Sequence, residues 1–127
     1  MKYSVTIDVP SIEEGLAFYR DAMGLDEVAR PMPTYAILRC GEGRIGLMQK
    51  AAGSKPAPGS EDVRRYERHW TPVHIDFHDA DFEHRLQTLL NAGARCEHQF
   101  PAGGGRPPVA FCSDPFGNGF CLLGSAS

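Results

Sequence analysis

The sequence predicts an α+β fold made of two βαβββ modules within a single domain of 127 residues. A strand followed by a helical segment occurs twice, over residues 4–24 and again over residues 74–93. Each copy also ends on a short apolar strand, at 44–48 and at 119–123. Repetition on this scale is typical of two like modules packed together, and the space between them is the expected place for a ligand.

The first module follows from periodicity and from residues that start or stop elements. Residues 4–9 alternate apolar and polar side chains, as a half-buried strand does. Ser11 followed by Glu14 forms a capping box that predicts the start of a helix, and Gly24 predicts its end. Further strands are predicted between glycine and proline breaks near 26–31, 34–40 and 44–49.

The second module repeats this order after a segment rich in proline, glycine and serine. We expect the first module to span 1–50, a linker to span 51–69, and the second module to span 70–127. The charged stretch 61–69 could hold a short helical turn, and Asp81 is the expected N-cap of the second helix. In its first strand, the apolar residues Val73, Ile75 and Phe77 are expected to face that helix. Weaker strands are predicted near 94–99 and 108–113, before a turn at 114–119.

Charge and composition exclude several classes of function. A net charge of −3 without a basic patch argues against a nucleic-acid partner. No apolar run approaches the roughly 18 residues that a membrane helix needs, and the start of the chain shows no signal-peptide pattern. The four cysteines lack CxxC spacing. They predict a reduced, cytoplasmic protein.

Strand parity places one set of side chains on the sheet face opposite the helices. Because the apolar set of each strand must pack against a helix, the other face carries polar residues mixed with methionine, leucine and cysteine. The residues assigned to this face are Ser4, Thr6, Asp8, Arg44, Gly46, Met48, His74, Asp76, Cys121 and Leu123. Such a face either meets solvent or lines a concave ligand cup, and periodicity alone favours neither.

Three segments give the chain a resemblance to a known superfamily. They are Val9–Ile12 with Leu16–Leu25, His69–Phe77, and the turn Asp114–Asn118. In these segments the sequence resembles the vicinal oxygen chelate superfamily, which includes glyoxalase I, fosfomycin-resistance proteins, extradiol dioxygenases and bleomycin-binding proteins. The resemblance implies an open, eight-stranded, barrel-like sheet around a ligand cup, of the glyoxalase and bleomycin-resistance type, commonly in a homodimer.

The resemblance also implies four metal-ligand positions, which in this chain read Ser4, Gly46, His74 and Cys121. Only His74 matches the usual His/Glu pattern. Gly46 has no side chain to ligate a metal, and the hydroxyl of Ser4 is a poor ligand for divalent ions. Cys121 would suit zinc as a thiolate, but two donors fall short of the roughly three protein ligands of a catalytic zinc site. We therefore expect no metal cofactor, with a divalent ion as the less favoured alternative.

The leading hypothesis is a metal-independent protein that binds a small molecule, a drug or a metabolite, in the inner cup. Its candidate ligand-binding residues are Ser4, Thr6, Tyr35, Arg44, Gly46, Met48, His74, Asp76 and Cys121. Trp70, Phe100 and Phe111 could add stacking surface.

Two other classes of function stay open. One is an enzyme, namely a lyase, isomerase or dioxygenase with an atypical metal site around His74 and Cys121, or a metal-free acid–base catalyst using His74 and Asp76. The other is an interaction module that uses a dimer surface. His74 could also be a residue without a functional role, hydrogen-bonded to Asp76 or Thr6.

Overall fold

The chain folds into two compact units, residues 1–66 and the part from Glu67 onward, in a computed structural model that describes residues 1–125. Each unit is a four-stranded sheet with one helical segment, so the predicted α+β fold with two βαβββ modules is confirmed. The first unit contains β1 (Val5–Val9), α1 (Ile12–Leu16), β2 (Asp26–Met32), β3 (Tyr35–Cys40) and β4 (Gly43–Gln49). The second contains β5 (Ile75–His78), α2 (Phe82–Asn91), β6 (Arg95–Phe100), β7 (Val109–Ser113) and β8 (Gly119–Leu123).

The two sheets have the same topology, and neither is closed. Their strand orders are β1-β4-β3-β2 and β5-β8-β7-β6, so the first and last strands of each module are neighbours. These neighbours run parallel, whereas the other pairs in each sheet are antiparallel. The parallel registers pair Thr6 with Gly46 and Asp76 with Cys121. Residues paired in this way point to the same face of a sheet, which is what brings candidate site residues together.

The first helix begins where the sequence predicts and then widens. The Ser11 hydroxyl accepts a hydrogen bond from the backbone N–H of Glu14 at 3.3 Å. After Leu16 the helix continues as a π-helical turn over Ala17–Ala22, which the periodicity did not predict. Within this turn the consecutive residues Phe18 and Tyr19 are each 1% exposed. Gly24 follows with φ of +82°, a conformation that suits glycine at a helix end.

The second helix begins after Asp81, which confirms the predicted N-cap position. Asp81 occupies the N-cap position without a side-chain cap hydrogen bond. Asp79 replaces it, because its Oδ1 accepts the backbone N–H of Asp81 at 2.9 Å while its Oδ2 pairs with Arg85 Nε at 2.7 Å. The hydrogen bond from Arg85 is the main cause that lowers the pKa of Asp79. A carboxylate two residues before the cap therefore fixes the start of this helix.

Residues 51–69, predicted as a linker, contribute to both units, and the helical turn expected within 61–69 is wrong. Arg64 makes two backbone hydrogen bonds, from the N–H of Gly53 and to the carbonyl of Ser54, each 2.8 Å long. Its guanidinium also pairs with Asp8 Oδ2 at 2.8 Å. The Tyr66 hydroxyl donates to the carbonyl of Lys50 at 2.7 Å. These contacts hold the segment against the first sheet.

Replacing Arg64 with alanine is expected to destabilise the protein by about 1–2 kcal/mol, because its guanidinium is mostly buried and binds three oxygen acceptors. Urea unfolding measures the change. Arg65 is exposed and serves as the matched control, so Arg65→Ala should leave the free energy of unfolding nearly unchanged. Equal losses from the two variants would show that the contact with Asp8 does not stabilise the fold.

The first strands of both modules are shorter than the sequence predicts. β1 begins at Val5 and β5 at Ile75, so Ser4 and His74 each lie just before a strand. The prediction that Val73 faces the second helix is wrong. Val73 lies before β5 and is 81% exposed. Within residues 1–125 the structure contains no helix long and apolar enough to cross a membrane.

Candidate functional site

Three of the predicted site residues meet on the polar face of the second sheet. Asp76 on β5 lies opposite Cys121 on β8, and His74 lies just before β5. His74 Nε2 is 3.2 Å from Asp76 Oδ1. The potential donor atoms of all three residues lie within 4.8 Å of one another. We call His74, Asp76 and Cys121 the polar cluster.

The polar cluster combines a buried thiol with two accessible polar groups. Cys121 is 3% exposed, and burial is the main cause that raises its pKa to about 11. The negative charge of Asp76 and a hydrogen bond to it raise this pKa further. At neutral pH the thiol is therefore protonated. The side chains of His74 and Asp76 are 35% and 49% exposed, so both can reach a ligand.

His74 also takes part in an aromatic stack, in addition to its contact with Asp76. The Trp70 and His74 rings are stacked with centroids 5.1 Å apart. The guanidinium carbon of Arg68 lies 5.1 Å from the Trp70 centroid, in a cation–π contact. Arg68 is fixed in turn by two hydrogen bonds to the Glu97 carboxylate, at 2.6 and 2.7 Å. This arrangement restricts the orientation of the His74 ring.

Trp70 can take this position because residue 119 is a glycine. A Cβ atom built on Gly119 would overlap the six-membered ring of Trp70. Cys121 comes two residues after Gly119 on β8, so the two residues lie on the same face of the sheet. Trp70 therefore covers the start of β8 beside the polar cluster.

A second group of aromatic side chains borders the polar cluster on the side of β7. Phe111 lies opposite Cys121 in the antiparallel register and so shares its face. The ring of Phe100 meets Phe111 edge-on at 5.9 Å, and the His98 ring stacks on Phe100 at 6.3 Å. The polar face of the second sheet therefore carries a hydrogen-bonding centre next to apolar, aromatic surface.

In the first unit, the structure brings together some of the predicted residues and leaves others apart. Thr6, Tyr35, Gly46 and Met48 lie on adjoining strands, with Thr6 opposite Gly46 and Tyr35 opposite Met48. Ser4 precedes β1 and is exposed, and Arg44 is exposed near the start of β4. The Arg44 guanidinium donates to the carbonyl of Gly43 at 3.2 Å.

The space beside Gly46 that a side chain would occupy is taken up by neighbouring side chains. A Cβ atom at Gly46 would lie 3.1 Å from Tyr35 Cε1 and 3.3 Å from Thr6 Oγ1. The Tyr35 ring thus covers the place where a longer side chain would extend from β4. Of the two metal-ligand positions that the resemblance implies for this unit, one is covered and the other, Ser4, lies outside the strand.

Neither unit supplies the pair of His or Glu ligands that the resemblance implies for it. The second unit supplies three candidate donors, one more than the two counted from the sequence, because Asp76 joins His74 and Cys121. Three donors match the number of protein ligands at a catalytic zinc site. A metal ion bound there would replace the proton of the Cys121 thiol.

The signals for these residues in the sequence are unequal. Alternation along the strands indicates His74, Asp76 and Cys121. Arg68 and Glu97 are missed, because their contact joins residues 29 positions apart without a local motif. Gly119 follows the recognisable turn at 114–118, but nothing in the sequence indicates that Trp70 lies over it.

One comparison with known proteins identifies a family for this chain. Residues 4–123 match the family model of the glyoxalase-like domain. Among curated proteins, no sequence matches significantly.

Several solved structures share the fold. The fosfomycin resistance protein FosX from Listeria monocytogenes, complexed with Mn(II) and sulfate, is similar with a TM-score of 0.72 and 15% identity over 98% of this chain and 90% of that one. Lactoylglutathione lyase from Agrobacterium tumefaciens is similar with a TM-score of 0.64 and 16% identity, over 98% of this chain and 92% of that one. A hypothetical protein from S. aureus is similar with a TM-score of 0.75 and 17% identity, over 98% of this chain and 93% of that one. At these identities the likeness shows the fold.

Proposed function

Since the chain belongs to the glyoxalase-like domain family, within the vicinal oxygen chelate superfamily that its sequence resembles, we propose that it binds a small organic molecule without a metal ion. The ligand lies on the polar face of the second sheet. The observation that carries this proposal is the polar cluster, in which two accessible polar side chains lie beside a buried thiol.

The chemistry of this face suits a ligand with an apolar, planar body and one hydrogen-bonding group. Ligand sites are mostly apolar with a few well-placed polar groups. His74 and Asp76 supply the polar groups, and their half-exposed edges are open to a ligand. Phe111 and Phe100 supply aromatic surface on the neighbouring strands. The stacked Trp70 limits the motion of His74, which lowers the entropy lost on binding.

Metal independence is supported by the donors on both sheets. In the first unit Tyr35 covers Gly46, and Ser4 lies outside its strand. In the second unit only His74 matches the usual His/Glu pattern, and the Cys121 thiol is buried.

A thermal-shift screen against a library of small aromatic compounds tests the proposal. A compound that binds the native state raises the melting temperature. We expect His74→Ala to abolish the shift that such a compound gives with the unsubstituted protein. His84 is an exposed histidine on α2, and His84→Ala is the matched control that should keep the shift. The proposal fails if no compound raises the melting temperature, or if His74→Ala leaves the shift intact.

The alternative is a metal-dependent lyase, isomerase or dioxygenase with a site around His74 and Cys121. It is favoured by one observation, the three candidate donors within 4.8 Å. Metal analysis of protein purified without chelator separates the two functions. A stoichiometric ion that is lost in His74→Ala would replace the binding proposal, whereas its absence in both proteins would support it.

We extend the proposal to a cytoplasmic homodimer. Four cysteines without CxxC spacing favour a reducing compartment, and the superfamily that the sequence resembles commonly forms homodimers. Light scattering on the purified protein measures the oligomeric state, and a monomer at micromolar concentration would contradict this extension.

A further inference from the structure

Two thiols face each other across the β6–β7 pair of the second unit. Cys96 and Cys112 are direct partners in the antiparallel register. Residues opposed in this way have Cα atoms about 4.5 or 5.5 Å apart, and both values lie within the range that a disulfide spans. The two side chains point to the same face, and a hydrogen bond between the thiols contributes to the raised pKa of Cys112.

The two thiols differ in their access to solvent. Cys112 is fully buried, and burial is the main cause that raises its pKa to about 12. Cys96 is only partly buried, on the edge strand β6, and its thiol lies 3.5 Å from the carbonyl oxygen of His98. An oxidant can therefore reach Cys96 first, with Cys112 placed to react second.

We propose that Cys96 and Cys112 form a redox modification site, in which a small disulfide such as glutathione disulfide converts the thiol pair into an intrachain disulfide. Cys96 loses its proton, attacks one sulfur of the oxidant and releases one glutathione. Cys112 then attacks the Cys96 sulfur while its proton passes to the departing glutathione sulfur, which releases the second glutathione. The two protons end on the released thiols, and the two electrons reduce glutathione disulfide. The inference is independent of the proposed ligand.

The register makes this pairing selective. Cys112 lies opposite Phe120, whereas Cys121, the next residue of β8, lies opposite Phe111. Because successive residues of a strand point to opposite faces, Cys121 projects away from the face that carries Cys96 and Cys112. Cys40 belongs to the first unit.

The test treats the folded protein with glutathione disulfide, blocks remaining thiols, and maps the products by mass spectrometry. We expect the loss of two hydrogens, one peptide pair linking Cys96 to Cys112, and reversal by dithiothreitol. Cys40→Ser should behave like the unsubstituted protein. A link to Cys121 or Cys40, or no reaction at all, would overturn the proposal.

Two variants separate the order of steps from a purely structural effect. Cys112→Ala keeps a small apolar side chain in the core, so it should fold and retain one glutathione on Cys96, because the second attack is missing. Cys96→Ser should retain none and form no disulfide. The assigned order is wrong if Cys112→Ala stays unmodified, or if Cys96→Ser is modified at Cys112.

Discussion

Replacing Asp114 with alanine is expected to destabilise the protein by about 3–5 kcal/mol. The carboxylate is 4% exposed and organises the turn before β8. Its Oδ1 accepts the backbone N–H groups of Phe116 and Asn118, and its Oδ2 accepts the Asn118 side-chain amide, each at 2.9 Å. Alanine removes these acceptors and leaves the donors without their partners in a largely buried turn. Urea unfolding measures the loss.

Asp114→Asn is the matched control for this substitution. Asparagine keeps the shape and one carbonyl oxygen, so the two backbone donors can still be satisfied. We expect it to cost about half as much as alanine. If alanine cost no more than about 1 kcal/mol, the usual net value of a single hydrogen bond, the turn would not depend on this carboxylate.

Gly117→Ala is expected to cost about 3 kcal/mol or more, through backbone strain and steric overlap together. Gly117 has φ of +92°, in the region that L-residues rarely adopt. A Cβ there would also overlap the backbone carbonyl of Glu67 and lie 3.1 Å from the N atom of Arg68. Backbone atoms cannot rotate away as a side chain can. The melting temperature reports the loss, and fluorescence of the single tryptophan, Trp70, reports displacement of the nearby stack.

Gly104→Ala separates the two causes. Gly104 has φ of +58°, but a Cβ there would meet no atom within 4 Å. It should therefore cost only the conformational strain, about 1–2 kcal/mol. Equal losses at positions 104 and 117 would mean that the approach of Glu67 does not matter.

Most of the fold was predictable because alternating apolar and polar side chains indicate the strands, and glycine and proline residues mark their ends. The strand predicted at 119–123 has the same bounds in the structure, and those near 26–31 and 108–113 differ by one residue at one end. The π-helical turn was not predictable, because burial of Phe18 and Tyr19 together fits the apolar stripe of an ordinary helix as well. The role of Asp79 was not predicted, because a side chain that accepts a backbone N–H at the start of a helix can come from outside the N-cap position.

The candidate site was predictable only in part, for a similar reason. Strand parity depends on neighbouring residues, so it places Asp76 and Cys121 on one face from the sequence alone. The positions of Trp70 and Arg68 depend on contacts with Gly119 and Glu97, which tertiary structure alone brings near. Asp8 was expected on the open face, but the return of Arg64 from a distant segment gives it an ionic partner.

Tyr35 over Gly46 has a consequence for the evolution and engineering of this scaffold. A carboxylate introduced at position 46 would collide with the phenol ring, since even a methyl group there lies 3.1 Å from Cε1. A side chain at position 46 would thus require the Tyr35 ring to shift by a few tenths of an ångström or to rotate away. Positions 35 and 46 are therefore coupled, and the residue at 35 influences which side chains position 46 can accept.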